Sequence, residues 1–533
     1  MVKLNNLPLY PGPTKDTRFT AVPTARVTGN LKGSFKVLFV YPNSRRESIV
    51  PPAITLLSRI VKNRGFQTDV FDSTGYEISE HGYSDKKREE NLTVRPSPHL
   101  GISLGDTDKM HADLRRKVSE FSPDLIAVSS TEVTFGLARS ILSGIRDSDI
   151  PTILGGVFAT FAPERALEFD EIDMVCVGEG EWMFAELCRR MSRKEDISTV
   201  PGLWLKDKEG GVIKNQTAPL ADLDQNPTDF DVELFPEWRF YQPMAGELRL
   251  TVPVETIRGC PYKCGFCNTP SQHDLYGHDF FRKKSVAKVR EELLYYMKFH
   301  PQFVYFWADT FLAQSSRELD EFCEMYKEFR LPFWVQTRPE TITREAIRKL
   351  RDVGLFRLSV GIEQGDEEYR EKVLIRPYSN KLALERLQIA TDLGVTFSTF
   401  NMIGLPDETP ELHWKTVLLN RQIKSDTTNC STFTPFVGTP LRDLAIRRGF
   451  LDPRVICSGT YEESLLEMPQ FPKGRIKALQ RVFPMYVKFP EDRWPEIKEA
   501  EALSPEGDAK WQALREEFIV TFFDEDKEAG PHG

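Results

Sequence analysis

The chain has 533 residues, 40 % of which are hydrophobic, and a formal net charge of -9. This length suits two to four domains of about 150 residues each, and the acidic balance argues against a general nucleic-acid binder. No apolar run approaches the roughly 20 residues that cross a bilayer, and the N-terminus lacks the apolar core of a signal peptide, so we expect a cytoplasmic protein without a membrane span.

The N-terminal third predicts an α/β domain. Residues 1–30 are rich in Pro, Thr and Asn and are predicted to form an extended arm. From 31 to 199, short apolar runs such as Phe35–Tyr41 alternate five times with helical patterns, which indicates an open, Rossmann-like (flavodoxin-like) parallel sheet with helices on both faces. A polar insertion, Gly75–Lys109, interrupts this alternation. It is either a lid over a ligand site or a solvated surface loop.

The turns after these strands are candidate binding loops, because ligands of open parallel sheets lie above the carboxyl ends of the strands. The turns are small, polar or glycine-rich, so a ligand can approach the backbone closely. Their candidate residues are Tyr41, Pro42 and Asn43, then Ser129, Ser130 and Thr131, then Gly155, Gly156 and Phe158, and finally Gly178 and Glu179.

The rest of the chain predicts a second α/β unit. Residues 200–250 read as a linker that contains a hairpin. From 251 to 441, six strand–helix units follow one another, which indicates a partial (β/α)6 barrel of the TIM type with its chemistry at the carboxyl ends of the strands. Residues 442–533 are predicted to form a small helical C-terminal cap.

The stretch "ETIRGCPYKCGFC" (Glu255–Cys267) concentrates three of the eight cysteines just after the first barrel strand. One interpretation is a structural zinc site of the Cys₃His type, with His273 or His278 as the fourth ligand. The other is an iron–sulfur cluster in which one iron has no protein ligand. The spacing and the place at the mouth of a barrel favour the cluster.

Here the sequence resembles the radical S-adenosylmethionine (radical SAM) superfamily, whose hallmark CxxxCxxC is present as "CPYKCGFC". The resemblance implies that Cys260, Cys264 and Cys267 hold a [4Fe-4S] cluster whose open iron binds the amino and carboxylate groups of SAM. Tyr262 and Phe266 lie between these cysteines and are candidate SAM contacts.

Three later segments also resemble this family. "WADTF" implies that Asp309 lies near the SAM amino group or the substrate; the alternative is a helix cap. "SVGIEQG" implies that Gly361 allows close approach and that Glu363 binds the ribose. In "VLIRP", Arg376 is a candidate partner of the SAM carboxylate, or else a surface arginine.

The fifth-strand motif "NMIGLPDET" lines the adenine in this family, with Gly404 and Pro406 shaping the turn. "FTPFVGTPL" then completes a pattern seen in members that carry an N-terminal cobalamin domain.

The first domain resembles that cobalamin-binding domain through "YPN", "PPA", "GGVFAT" and "VGEGE". The D-x-H-x-x-G pattern, whose histidine ligates cobalt from below, is not present in the sequence. The resemblance therefore implies cobalamin bound without a histidine ligand, over the strand ends and facing the barrel mouth. Phe158 stands where relatives often have histidine. The alternative is a fold that has lost its cobalamin.

The resemblance implies a cobalamin-dependent radical SAM enzyme, most simply a methyltransferase that methylates an unactivated carbon through methylcobalamin and a 5′-deoxyadenosyl radical. A cyclase or rearrangement enzyme that uses cobalamin without methyl transfer remains open, as does a non-catalytic iron–sulfur or zinc protein. The sequence names no catalytic residue. Trp307, Trp334 and Phe400 suggest a pocket for a small molecule, lipid, tetrapyrrole or peptide, and an electron donor such as flavodoxin or ferredoxin is implied.

Overall fold

The computed structural model describes residues 35–44, 50–78, 84–98, 100–277 and 279–524. The predicted arm at 1–30 and His278 lie outside the described residues. Among those that are described, no helix is long and apolar enough to span a membrane.

The first sheet has the predicted doubly wound topology. Its five parallel strands are ordered β2-β1-β3-β4-β5, the flavodoxin-like order. The strands are β1 (Lys36–Tyr41), β2 (Gln67–Asp72), β3 (Leu125–Ser129), β4 (Thr152–Gly155) and β5 (Met174–Cys176). The helices are α1 (Pro52–Lys62), α2 (Ser84–Glu90), α3 (Thr107–Phe121), α4 (Glu132–Ser143), α5 (Val157–Phe161), α6 (Pro163–Leu167) and α7 (Gly180–Ser192).

The hairpin in the predicted linker is part of this first sheet. Its strands are β6 (Leu203–Lys206) and β7 (Val212–Lys214), and β6 pairs antiparallel with β5. Leu203 and Trp204 are buried, so the hairpin joins the sheet by burying its apolar residues. The linker is therefore shorter than residues 200–250.

The second sheet is the predicted partial barrel. Six of its strands, β9 and β12 to β16, are parallel to one another. β8 forms one edge of the sheet and β16 the other, so the sheet stays open. The strands are β8 (Tyr241–Met244), β9 (Glu247–Glu255), β12 (Phe303–Trp307), β13 (Phe333–Thr337), β14 (Leu355–Glu363), β15 (Thr396–Ile403) and β16 (Thr427–Thr432). The short strands β10 (Ile257–Arg258) and β11 (Arg282–Lys283) pair with each other.

Helices connect these strands and form the outer layer. The Ser285 side chain accepts a hydrogen bond from the backbone N–H of Lys288 and so caps α9, as predicted. The helices are α8 (Thr269–Leu275), α9 (Val286–Tyr296), α10 (Ser316–Tyr326), α11 (Arg344–Asp352), α12 (Glu367–Lys372), α13 (Asn380–Asp392) and α14 (Pro410–Ile423).

The C-terminal region is helical, as predicted, and shares a core with the barrel. Its apolar residues pack against Ile403 and Leu405, at the end of β15. The helices are α15 (Pro440–Arg447), α16 (Lys473–Lys488), α17 (Trp494–Ala500) and α18 (Pro505–Ile519).

The polar insertion is neither a lid over the strand ends nor a solvated loop in its described part. Leu92 is 1 % exposed and belongs to the C-terminal core. Arg95 donates a hydrogen bond of 2.7 Å to Asp426. The insertion also lines a cavity of about 190 Å³ together with Trp334 and Phe400. Arg357, Ser398 and Thr427, near the amino ends of their strands, line it too, so the insertion covers the end of the barrel opposite the cysteine loop.

Candidate functional site

The three cysteines lie in the loop between β10 and α8, and each makes a polar contact with a neighbouring group. Cys260 is hydrogen-bonded to the Thr310 hydroxyl at 3.3 Å. The Arg338 guanidinium donates to Cys264 Sγ at 2.9 Å. The backbone N–H of Thr269 donates to Cys267 Sγ at 3.4 Å. The N–H donors of Arg338 and Thr269 suit thiolate ligands, whose negative charge they stabilise, so the loop fits an iron–sulfur cluster.

His273, one of the two residues considered as a zinc ligand, faces another group. Its Nε2 is hydrogen-bonded to the backbone oxygen of Cys260 at 2.9 Å, and its ring packs edge-on against Phe280. The histidine therefore supports the loop through the backbone instead of joining the thiols in a Cys₃His set.

Arg376 joins the predicted SAM residues to the cysteine loop. Its Nη2 donates to the Gly361 carbonyl at 2.7 Å, and its Nη1 lies 3.4 Å from Glu363 and 3.6 Å from Cys264 Sγ. Arg376 is 4 % exposed, which rules out the surface-arginine alternative. Its Nε is buried without a hydrogen-bond partner, so the guanidinium keeps a donor for an anionic group such as a carboxylate.

Glu363 is placed by an irregularity at the end of β14. The β14–β15 register shifts between Gly361 and Glu363, and Glu363 has a φ of 70°. This left-handed conformation is strained for a residue other than glycine, and strained backbone conformations cluster at functional sites. Burial raises the pKa of Glu363, and the nearby Arg376 charge opposes that rise.

Tyr262 and Phe266 lie against the two arginines that reach Cys264. The Arg338 guanidinium stacks 3.8 Å above the Tyr262 ring, and that of Arg376 lies 5.9 Å from the Phe266 ring. Both aromatic rings therefore help to orient the donors of the cysteine loop.

Asp309 follows β12 and has an exposed side chain at the carboxyl end of that strand. The next helix, α10, begins seven residues later at Ser316 and is capped by Ser315, so the helix-cap alternative for Asp309 is wrong.

Gly404 and Pro406 form a turn that packs against the C-terminal region. Gly404 has a φ of 80°, and its N–H donates to the Glu408 carboxyl at 2.6 Å. Burial raises the pKa of Glu408 to about 7. A Cβ at residue 404 would lie 3.1 Å from Ile476. The predicted adenine contact of this turn stays a prediction.

A cavity of about 330 Å³ lies between the strand ends of the first sheet and the barrel. Five of the predicted cobalamin residues line it: Ser129, Gly155, Gly156, Gly178 and Glu179. The barrel contributes Pro253, Glu255, Arg258 and Trp307. A planar ligand above the strand ends would therefore face the barrel, as the sequence predicts.

The other predicted cobalamin residues lie outside the lining of this cavity. Phe158 is 2 % exposed and packs 4.6 Å from Phe135, so its side chain belongs to the core of the first domain. The Tyr41 ring contacts Phe235, and Pro42 is buried. Asn43 is hydrogen-bonded to Ser73 and Thr74. Ser130 and Thr131 lie at the start of α4.

A network of partly buried charges joins the Gly178–Glu181 segment to the cysteine loop. Arg258, two residues before Cys260, donates to Glu179 at 2.9 Å and to Glu181 at 2.6 Å. It also pairs with Glu255 at 2.9 Å. Burial alone would raise the pKa of Glu255, but the charges of Arg258 and Lys284 outweigh it and lower that pKa to about 2. Glu255 is therefore ionised at neutral pH.

The other side of the cysteine loop reaches the same turn. Tyr276, just after α8, accepts a 2.7 Å hydrogen bond from the backbone N–H of Glu179 through its hydroxyl. Arg258 and Tyr276 thus flank the cysteine loop in sequence, and both contact the Gly178–Glu181 turn of the first domain.

Sequence reasoning missed Arg258, Tyr276 and Arg338. Arg338 directly follows β13, and the rule that barrel chemistry gathers at the carboxyl ends of strands could have identified it. Arg258 and Tyr276 both bind Glu179, which lies about 80 to 100 residues earlier in the chain. No local sequence pattern predicts such contacts.

Comparison with known families matches both parts of the chain. Residues 254–419 match the radical SAM superfamily and residues 44–188 match the B12-binding domain. An uncharacterized methyltransferase of Pyrococcus horikoshii (PH0819) is 24 % identical over 70 % of this chain and 80 % of its own length.

A second curated relative carries a different activity in its name. The anaerobic magnesium-protoporphyrin IX monomethyl ester cyclase of Rubrivivax gelatinosus is 26 % identical over 63 % of this chain, and the match spans 60 % of that enzyme's own length.

Among solved structures, the fold resembles TsrM from Kitasatospora setae, a radical S-adenosylmethionine methyltransferase solved with cobalamin and a [4Fe-4S] cluster bound. The TM-score is 0.64 at 17 % identity, and the match covers 93 % of this chain and 100 % of that one.

Proposed function

Because the chain is a B12-binding radical SAM enzyme, with a [4Fe-4S] cluster, SAM and cobalamin as its cofactors, we propose that it methylates an unactivated carbon of its substrate. The observation that carries the proposal is the interdomain cavity. Its lining combines the glycine-rich turns of the B12-binding domain with Arg258, two residues from the first cluster cysteine. This lining supports the proposal, because it would set a methyl carrier beside a radical source.

The residues of the chain hold and orient these cofactors. When bound, the cofactors supply an electron, a hydrogen-abstracting radical and the transferable methyl group. Cys260, Cys264 and Cys267 hold the cluster. Asp309, Glu363 and Arg376 bind the polar groups of SAM, and Arg376 offers its unpartnered buried Nε to the carboxylate.

The turns that contain Ser129, Gly155, Gly156, Gly178 and Glu179 would hold cobalamin, and Trp307 also lines this cavity.

The substrate is a small molecule, lipid, tetrapyrrole or peptide, and nucleic acid is not expected. The electron comes from a small redox protein such as flavodoxin or ferredoxin.

The second candidate is a ring-closing or rearrangement reaction that uses cobalamin without methyl transfer. The similarity to the Rubrivivax gelatinosus cyclase favours it. The non-catalytic alternative is disfavoured, because the chain matches an enzyme superfamily over the barrel that contains the cluster cysteines.

Two small products separate the candidates before the substrate is known. The reconstituted enzyme, with cobalamin, is incubated anaerobically with SAM and a strong reductant, and 5′-deoxyadenosine and S-adenosylhomocysteine are quantified. Methyl transfer predicts both products, and S-adenosylhomocysteine disappears when cobalamin is omitted. Formation of 5′-deoxyadenosine alone would favour the cyclase or rearrangement candidate, and the absence of both would contradict a radical SAM methyltransferase.

A further inference from the structure

Two buried arginines converge on one cysteine of the cluster loop. Arg338, at the end of β13, directs Nη1 at Cys264 Sγ at 2.9 Å. Arg376 reaches the same sulfur more distantly, at 3.6 Å. Both side chains are nearly inaccessible to solvent. The side chains described in hydrogen bonds with Cys260 and Cys267 are the uncharged hydroxyls of Thr310 and Thr269, whereas those at Cys264 are cationic.

Arg338 is held in this orientation by two further contacts. Its Nε and Nη2 donate to the Glu340 carboxylate at 3.2 Å and 2.5 Å, which leaves Nη1 for the sulfur. Its guanidinium plane stacks on Tyr262, between Cys260 and Cys264, at 3.8 Å. The planar fork of arginine makes both contacts at once, which lysine cannot do.

A cation that donates a hydrogen bond to a cluster ligand stabilises the more negative, reduced state of the cluster. Hydrogen bonds to the sulfurs, local charge and burial set the reduction potential of iron–sulfur clusters. Glu340 carries the opposite charge and weakens the effect of Arg338 at the sulfur. We propose that Arg338 raises the reduction potential of the cluster through Cys264 and that Glu340 limits this rise.

This inference rests on the cluster and not on methyl transfer, and it assigns roles to Arg338 and Glu340 that differ from the SAM-binding role of Arg376. It makes predictions of opposite sign for the two residues. Arg338→Met is expected to shift the midpoint potential to a more negative value, and Arg338→Lys to shift it less. Glu340→Gln is expected to shift it to a more positive value, because the guanidinium charge is then uncompensated.

The test is a redox titration of the reconstituted full-length protein without SAM or substrate, followed by the electron paramagnetic resonance signal of the reduced cluster. Iron and sulfide are counted in each variant. Arg344→Met serves as the matched control, because Arg344 lies six residues from Arg338 but is exposed and pairs with Asp392. We expect the potential of this control to equal that of the wild type.

An unchanged potential in a fully loaded Arg338→Met protein would overturn the inference, as would shifts of the same sign in Arg338→Met and Glu340→Gln. If Arg338→Met does not assemble a cluster, Glu340→Gln decides, and a zero or negative shift rejects the inference. If the potential is unchanged and a separate titration with SAM shows weaker binding to Arg338→Met, the inference is rejected and Arg338 is assigned to the SAM carboxylate. Because no methyl acceptor is present, failure of the proposed reaction does not affect these results.

Discussion

Glu179, in the turn after β5, accepts a 2.9 Å hydrogen bond from Arg258, which lies two residues before the first cysteine of the cluster loop. Arg282 pairs with the same carboxylate. Burial alone would raise the pKa of Glu179, but the charges of Arg258 and Arg282 lower it. An ionised side chain of the B12-binding domain is therefore fixed, together with Glu181, to the segment that leads into the cluster loop.

The first prediction concerns this contact. Glu179→Gln removes the charge but keeps the size of the side chain, and it leaves Arg258 and Arg282 with fewer counter-charges. Loss of one partner of a buried pair costs about 3–5 kcal/mol. We expect a lower melting temperature and several-fold weaker binding of hydroxocobalamin, measured by calorimetry and by equilibrium titration.

Glu328→Gln is the matched control for Glu179→Gln, because Glu328 pairs with Arg290 at 2.7 Å on the exposed surface. Exposed pairs contribute about 0–1 kcal/mol, so this variant is expected to behave like the wild type. Equal effects of the two substitutions would contradict a special role for the interdomain pair.

The second prediction concerns Gly178, which has a φ of 95° and a Cβ position 2.0 Å from the Tyr276 hydroxyl oxygen. Gly178→Ala is expected to displace Tyr276, lower the melting temperature and weaken cobalamin binding. Tyr276→Phe removes the nearest atom, so the double variant is expected to lose less stability than the sum of the two single losses.

Gly210→Ala separates backbone strain from crowding at Gly178. Gly210 has a φ of 85°, but no atom lies within 4 Å of its Cβ position. We expect a smaller loss of stability and unchanged cobalamin binding. Strict additivity of Gly178→Ala and Tyr276→Phe would show that the described contact does not limit residue 178.

The third prediction tests the packing of the insertion. Leu92→Ala removes a side chain that is 1 % exposed and belongs to the C-terminal core, and the expected loss is about 2–5 kcal/mol. Leu100, in the same insertion, is 45 % exposed, and Leu100→Ala is expected to change stability by at most about 0.5 kcal/mol. Limited proteolysis and thermal unfolding measure both variants. Two equally small effects would mean that the insertion is a surface loop.

The fourth prediction is a pH dependence of stability. Both ring nitrogens of His413 are buried without hydrogen-bond partners. Burial, and then the charge of Arg475, lower the pKa of His413 from 6.5 to about 3. As the pH falls below 6.5, His413 of the unfolded chain binds a proton, whereas His413 of the folded chain stays neutral down to about pH 3. The free energy of unfolding therefore decreases across this pH range.

His413→Leu removes this proton uptake. Between pH 7.5 and 5.5 the wild type is expected to lose about 1.4 kcal/mol more stability than the variant does. Melting temperatures of the apo protein across this pH range measure the difference. Parallel pH profiles of the two proteins would contradict a neutral, buried His413.

The architecture was predictable from the sequence because local sequence patterns determine where its strands and helices begin and end. Apolar runs such as Phe35–Tyr41 mark the strands, and Ser285 marks the start of α9. The position of each turn after a strand also predicted that Gly155 and Gly178 meet at one edge of the sheet, where they line the same cavity.

Contacts between distant segments were not predictable in this way. Leu92 lies in a polar insertion, and the core that buries it is formed jointly by the barrel and the C-terminal region. Phe158 directly follows a glycine-rich turn, yet its side chain packs against Phe135 in the core of the first domain. Trp307 and Trp334, grouped as one pocket in the sequence, line two different cavities, because the first ends its strand and the second lies near the start of the next one.

We expect one chain to hold a cluster on Cys260, Cys264 and Cys267 and cobalamin in the cavity beside it. Iron, sulfide, zinc and cobalamin are counted per chain after anaerobic reconstitution, in the wild type and in the Cys260→Ala/Cys264→Ala/Cys267→Ala variant. We expect about four iron and four sulfide per wild-type chain, lost in the variant, with cobalamin retained in both. Stoichiometric zinc in place of iron, or iron without cobalamin, would contradict this expectation.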